Sequence, residues 1–198
     1  AWVDRAADLA PCVWIAGHSE GGLVALVAAQ TPPRNLCGLI LLATAGRPVG
    51  TLLREQMRTE PAMTSFLPEI DAATGELEAG HPVDPRTLSS QLRAIFARGI
   101  QRRLIDLFAY DPLRIARDWK GPILIVQGDA DTQVKPRDAE LLAGALPQAR
   151  TTALPGATHM LKLDGLLQSP AGAGVATPPL HPGLLPAIVE FVNQATAR

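Results

Sequence analysis

Residues 12–28 read CVWIAGHSEGGLVALVA, and the interpretation of this stretch decides the fold. Cys12, Val13, Trp14, Ile15 and Ala16 form an apolar run suited to a strand covered on both faces. Leu23, Val24, Leu26 and Val27 then recur at helical spacing, so Ser19 falls on a strand-to-helix turn. Such a turn forces its central residue into strained dihedrals and brings the flanking backbone close. Side chains in place of Gly17 and Gly21 are therefore expected to clash, and the serine hydroxyl is expected to stand exposed. The pattern G-x-S-x-G arises by chance in about one chain in fifteen of this size, so its weight comes from the strand before it and the helix after it. A glycine-rich helix start that packs tightly or cradles a phosphate is the competing reading. Neither G-x-x-x-x-G-K-[ST] nor G-x-G-x-x-G occurs at the turn, which weakens the phosphate version.

The chain has 198 residues, 47% hydrophobic and 19% charged, with a net charge of -1. That is an ordinary globular composition, long enough to bury a core. Balanced charge and an aromatic content of 4% give no reason to expect a nucleic-acid partner. No apolar run is long enough to cross a bilayer. Cys12 and Cys37 both fall in predicted strands, where free thiols behave as small hydrophobes, and two cysteines give no metal-ligand spacing; both are expected in the core. The first residue is Ala1, and a short amphipathic segment from Trp2 to Leu9 leads at once into the strand, so preceding elements are expected to be missing. With no leader in view the compartment defaults to the cytoplasm.

Beyond the first strand, the helix is expected to end near Gln30, since Thr31-Pro32-Pro33 cannot continue it. Further buried strands are predicted at Cys37 to Ala45 and Pro122 to Gly128, with a weaker one at Arg150 to Leu154. Helices are predicted from Pro136 to about Leu146 and from about Gly183 to Ala195. Alternating strands and helices imply a mostly parallel sheet covered on both faces. The segment 47–118 has no strand signal and is too long for a simple crossover. It reads as a helical cap inserted into a core made of 1–46 and 119–198, with helices near Thr51 to Glu60, Pro85 to Arg98 and Ile100 to Phe108. TGELEAGHPVDP reads as a linker between them, and Phe96 and Phe108 are candidates to line a substrate surface. Arg98, Arg102 and Arg103 read as a solvated helix face, and Ser169 to Gly183 as a mobile loop.

A serine hydroxyl becomes a nucleophile at neutral pH only when a base takes its proton, and that base must be oriented by a third group. In an open parallel sheet such groups gather at the carboxyl ends of the strands. Asp129 and Asp131 stand there in QGDADTQV, and His159 follows the weak strand in LPGATHMLK. Among four histidines, His18 on the turn should point away from the hydroxyl, while His81 and His181 read as exposed. The order Ser19, Asp131, His159 follows.

GHSEGG, GDADTQV and GATHMLK together resemble the serine-hydrolase branch of the α/β-hydrolase superfamily, near its carboxylesterase and serine-aminopeptidase-like members with a helical cap. The resemblance runs from the turn onward over almost the whole chain. It implies a partial α/β-hydrolase fold that lacks the N-terminal strands, and a nucleophile elbow at Ser19. It assigns the acid of G-x-x-D to Asp131 and leaves Asp129 as a turn residue. It also implies that the backbone N–H of Glu20 helps hold the oxyanion, while the loop that donates the second amide is absent. The expected activity is hydrolysis of carboxylic esters through an acyl-enzyme, the expected partner being a small-molecule ester or amide substrate, with no metal and no organic cofactor. Aminopeptidase or acyltransferase activity is the alternative within the fold, with Glu76, Glu78 or Asp106 as possible anchors for a substrate ammonium. A truncated, non-catalytic scaffold or binding module is the alternative outside it. The elbow strand is then expected at a sheet edge, with its backbone open to solvent or another chain and ester turnover by this chain weak.

Overall fold

The structure is a computed structural model that describes residues 2–163 and 179–196. Its apolar runs form four strands: β1 (Val13–His18), β2 (Leu36–Leu42), β3 (Ile123–Gly128) and β4 (Arg150–Leu154). They lie in the order β1-β2-β3-β4 and every pairing is parallel. Eight α-helices accompany them among the described residues: α1 (Trp2–Ala7), α2 (Glu20–Ala28), α3 (Val49–Thr59), α4 (Leu67–Glu78), α5 (Arg98–Phe108), α6 (Pro112–Ala116), α7 (Pro136–Ala145) and α8 (Leu184–Thr196). The chain divides into two compact units, one of Ala1–Gly46 with Pro112–Arg198 and one of Arg47–Asp111.

In the first unit the two-residue period of the strands sorts the core onto two faces. Leu39, Leu41, Ile123 and Ile125 point to one side, where Ala25 and Leu26 of α2, Ala116 of α6 and Leu142 of α7 cover them. Ile40, Leu124, Val126 and Leu154 point to the other, against Leu184 and Phe191 of α8. Trp14 of β1 meets Phe191 edge-on, with ring centroids 5.4 Å apart. A sheet buried on both sides explains why β2 and β3 read as unbroken apolar runs. The segment 112–118 belongs to this unit, with α6 packed on α2 and α7. β1 pairs with β2 alone and so lies at one edge of the described sheet.

Two readings of the sequence change here. Cys12 and Cys37 are not free core thiols: they form a disulfide, with Cα atoms 5.5 Å apart, and both are half-buried. The β1–β2 register shifts between Val13 and Trp14, so Val13 pairs with Leu36 and Trp14 with Gly38. Cys37 is left as the unmatched residue of that irregularity. The segment 169–178 lies outside the described residues; Leu180, just beyond it, bridges Lys162.

In the second unit the segment 85–98 is not one helix. A short 3-10 turn at Pro85–Thr87 is capped by Asp84, and Leu88 then turns extended with ψ 153°. Ser89 gives both its N–H and its hydroxyl to Glu69 rather than continuing a helix. Conversely, TGELE is no linker but the end of α4, which buries Ile70, Ala73, Thr74 and Leu77 at helical spacing. Arg54 joins α3 to α4 through Glu78 at 2.7 Å and Asp71 at 3.5 Å. Phe96 is 0% exposed and Phe108 8%, so both are buried side chains in this structure. Arg98, Arg102 and Arg103 lie on the solvated face of α5.

Candidate active site

β1 delivers Ser19 to the carboxyl end of the sheet, where its N–H extends the ladder to the Leu42 carbonyl at 2.8 Å. The chain then reverses into α2 within one residue, and Ser19 takes φ 54°, ψ -120°. A non-glycine residue in that region is strained, and the strain turns the side chain outward from the turn. Gly17 permits the reversal: a Cβ there would lie 2.1 Å from the Gly21 carbonyl oxygen. Gly21 itself has open space, against the expectation of a clash, and the second crowded glycine is Gly22, where a Cβ would lie 1.9 Å from Thr44 Oγ1. α2 has turned by then, so Gly22 faces the sheet and Gly21 does not. Glu20 opens α2, which places the positive end of the helix dipole beside Ser19.

Asp131 stands in the loop between β3 and α7, its side chain 0% exposed. Oδ1 accepts the N–H groups of Gln133 and Val134, each at 2.9 Å, and Oδ2 accepts from Gln127 Nε2 at 3.1 Å. Burial pushes its pKa up, but the hydrogen bond from His159, the backbone N–H groups of Val134 and Gln133 and the charge on His159 outweigh it and hold the carboxyl below its ordinary value. Asp131 is therefore an ionised acceptor at neutral pH. Asp129 instead accepts the N–H of Gly156 at 2.6 Å and stitches the loop after β3 to the loop after β4.

His159 sits on that second loop, in a tight turn closed by Thr158 N–H to the Lys162 carbonyl and Leu161 N–H to the Thr158 carbonyl, each 2.8 Å. Its Nδ1 lies 2.9 Å from Asp131 Oδ2 and its Nε2 3.0 Å from Ser19 Oγ. An ionised carboxylate can only accept, so Nδ1 carries the proton and Nε2 presents a lone pair to the serine hydroxyl. The imidazole is 11% exposed, which leaves a narrow approach for a reactant. His18 lies beside His159: its Nε2 is 2.7 Å from the His159 carbonyl, with ring centroids 4.9 Å apart. His81 is exposed beside Glu76 in the second unit, and His181 is half-buried, accepting the Gly183 N–H on Nδ1.

The structure thus brings Ser19, His159 and Asp131 into one hydrogen-bonded chain, drawn from three loops at one end of the sheet. Among the described residues no group of three or more His, Cys, Asp or Glu side chains is placed to hold a metal ion. No helix among them is long and apolar enough to cross a membrane. Sequence reasoning missed Gln127, a polar residue ending a strand otherwise fully apolar.

Comparison with solved structures gives the same fold. Est1E from Butyrivibrio proteoclasticus matches with a TM-score of 0.59 at 22% identity, over 100% of this chain and 67% of that one. A thermophilic esterase matches at 0.56 and 17% identity, over 98% and 70%. A protein described as a non-heme bromoperoxidase, BpoC from Mycobacterium tuberculosis H37Rv, matches at 0.56 and 16%, over 96% and 70%. No curated protein matches the sequence. The profile of the family described as serine aminopeptidase, S33, matches residues 3–165, most of the chain. The chain therefore belongs to the serine aminopeptidase S33 family and is a hydrolase of the α/β-hydrolase superfamily.

Proposed function

We propose that this chain is a serine hydrolase that cleaves carboxylic esters through an acyl-enzyme, with Ser19, His159 and Asp131 as its catalytic triad. The observation that supports this most is the continuous relay from Ser19 Oγ to His159 Nε2 at 3.0 Å and from His159 Nδ1 to Asp131 Oδ2 at 2.9 Å. His159 takes the serine proton as Oγ attacks the acyl carbon, and Asp131 stabilises the imidazolium that forms. The negative charge on the former carbonyl oxygen is held by the Glu20 N–H at the start of α2. His159 then returns the proton to the departing alkoxide, and water repeats the sequence on the acyl-enzyme. None of the three residues lies in the second unit, which we assign to substrate choice rather than chemistry.

Ester cleavage is preferred to aminopeptidase activity in this reading because two of the three acids that could anchor a substrate ammonium are engaged, the exposed Asp106 being the exception. Glu78 is committed to Arg54 through bonds of 2.7 and 2.8 Å, and Glu76 faces His81 at 3.2 Å. A panel of nitrophenyl esters of rising acyl length, run beside aminoacyl arylamides, tests the assignment. Turnover of the short esters without the arylamides is expected. A higher kcat/KM on an arylamide would make the chain a peptidase, and no turnover of either class would return it to a binding scaffold.

A further inference from the structure

β3 is apolar from Ile123 to Val126 and then places Gln127 in the core at 5% exposure. Its Nε2 lies 2.9 Å from the Val134 carbonyl, 3.1 Å from the Gly128 carbonyl and 3.1 Å from Asp131 Oδ2. Its Oε1 is equally buried and has no hydrogen-bond partner among the described residues. An orphaned buried carbonyl is costly, and a methionine of similar length would avoid the cost. Turning the amide over does not help, because it would set Oε1 against a carboxylate and two carbonyls. The fold thus keeps a half-satisfied amide in its core for the sake of its N–H groups.

One of those groups points at the carboxylate oxygen that also receives the His159 Nδ1 proton. Oδ1 is fixed by two backbone N–H groups, whereas the hydrogen bonds to Oδ2 come from side chains, Gln127 and His159. Without Gln127 the remaining hydrogen bond to Oδ2 comes from His159 itself, the group the carboxylate has to position. We infer that Gln127 is a positioning residue: its amide fixes Oδ2 of Asp131 at the height of His159 Nδ1 and at the same time holds the Val134 carbonyl, so the loop that carries the acid cannot drift. This rests on the roles proposed above for Ser19, His159 and Asp131, and it adds a fourth side chain that touches none of the reacting atoms.

The test uses Gln127→Met, which keeps the volume and removes the donors, and Gln127→Asn, which keeps the amide but falls short of Oδ2. Three readouts are taken on each folded variant: kcat and KM on a short ester, the rate at which a fluorophosphonate labels Ser19, and the downfield proton resonance of His159 Nδ1–H. Both variants are expected to lose about 10- to 100-fold in kcat and in labelling rate, the span of one hydrogen bond to a charged group, with KM unchanged. The Nδ1–H resonance should move or broaden. A folded variant that keeps its kcat and an unmoved Nδ1–H resonance would reduce Gln127 to a structural staple of the loop. Should the unchanged chain neither turn over esters nor label at Ser19, the ester-hydrolase reading falls. The Nδ1–H resonance, compared between the unchanged chain and the variants, still decides the inference about Gln127.

Discussion

Asp131→Asn removes no volume and yet is expected to be among the most damaging single changes to this site. Four donors meet the two carboxylate oxygens: the Gln133 and Val134 N–H groups on Oδ1, and Gln127 Nε2 and His159 Nδ1 on Oδ2. An asparagine offers one acceptor oxygen. The two backbone N–H groups cannot be inverted, so they hold that oxygen and the new NH₂ takes the place of Oδ2. It then faces the Gln127 amide donor to donor, which costs about 1–3 kcal/mol of stability. Toward His159 it can only donate, so Nδ1 must give up its proton and Nε2 must carry it. Nε2–H facing Ser19 Oγ cannot accept the serine proton. The same exchange in a serine protease lowers kcat by about 10⁴, about 5.6 kcal/mol at 1.4 kcal/mol per decade, and a loss of that order is expected here. The assay is kcat on a short nitrophenyl ester, with thermal unfolding to report the stability term. Asp129→Asn is the control, because an asparagine still offers the oxygen that accepts the Gly156 N–H. A kcat for Asp131→Asn within tenfold of the unchanged chain, or a larger loss for Asp129→Asn, would refute the reasoning.

The glycines of GHSEGG should separate sharply. Gly17→Ala forces a Cβ to 2.1 Å from the Gly21 carbonyl oxygen, so the elbow must open. A shift of about 1 Å at the nucleophile is enough to lower turnover on the order of 10²-fold. Gly21→Ala meets open space inside a helix and should leave turnover unchanged while adding about 0.5–1 kcal/mol of stability by chemical denaturation. Cys12 and Cys37 close a loop with a sequence separation of 25, worth about 3.5 kcal/mol through loss of unfolded-state entropy. A matching fall in unfolding free energy is expected on reduction, with no free thiol detectable beforehand in the unfolded, unreduced chain.

Much of this fold could be read from local pattern, because β2 and β3 are covered on both faces and read as unbroken apolar runs, and β1 is apolar up to the elbow although its burial is only partial. The positions of Ser19, Asp131 and His159 followed from the same logic, since each ends or follows a strand. What was hidden depended on register and on partners distant in sequence. The irregularity at Val13 and Trp14 that leaves Cys37 unmatched, and the disulfide it makes with Cys12, have no signature in either segment. Whether Gly21 or Gly22 faces the sheet depends on how α2 leaves the elbow, and the sequence shows only two adjacent glycines. α4 was disguised by Gly75 and two glutamates on its outer face, although Ile70, Ala73 and Leu77 kept the helical spacing. The complete burial of Phe96 was hidden because it is set by long-range packing. Gln127 was visible as a polar residue at the end of an apolar strand, and only the geometry of its amide shows what it holds.

The central claim is that Ser19 is a nucleophile activated by His159. The most direct measurement treats the 198-residue chain with a fluorophosphonate, digests it and locates the adduct by mass spectrometry, with Ser19→Ala and His159→Ala in parallel. A single adduct on Ser19, absent in Ser19→Ala and strongly slowed in His159→Ala, is the predicted result. An adduct on another residue, or labelling of Ser19 that proceeds equally fast without His159, would contradict it.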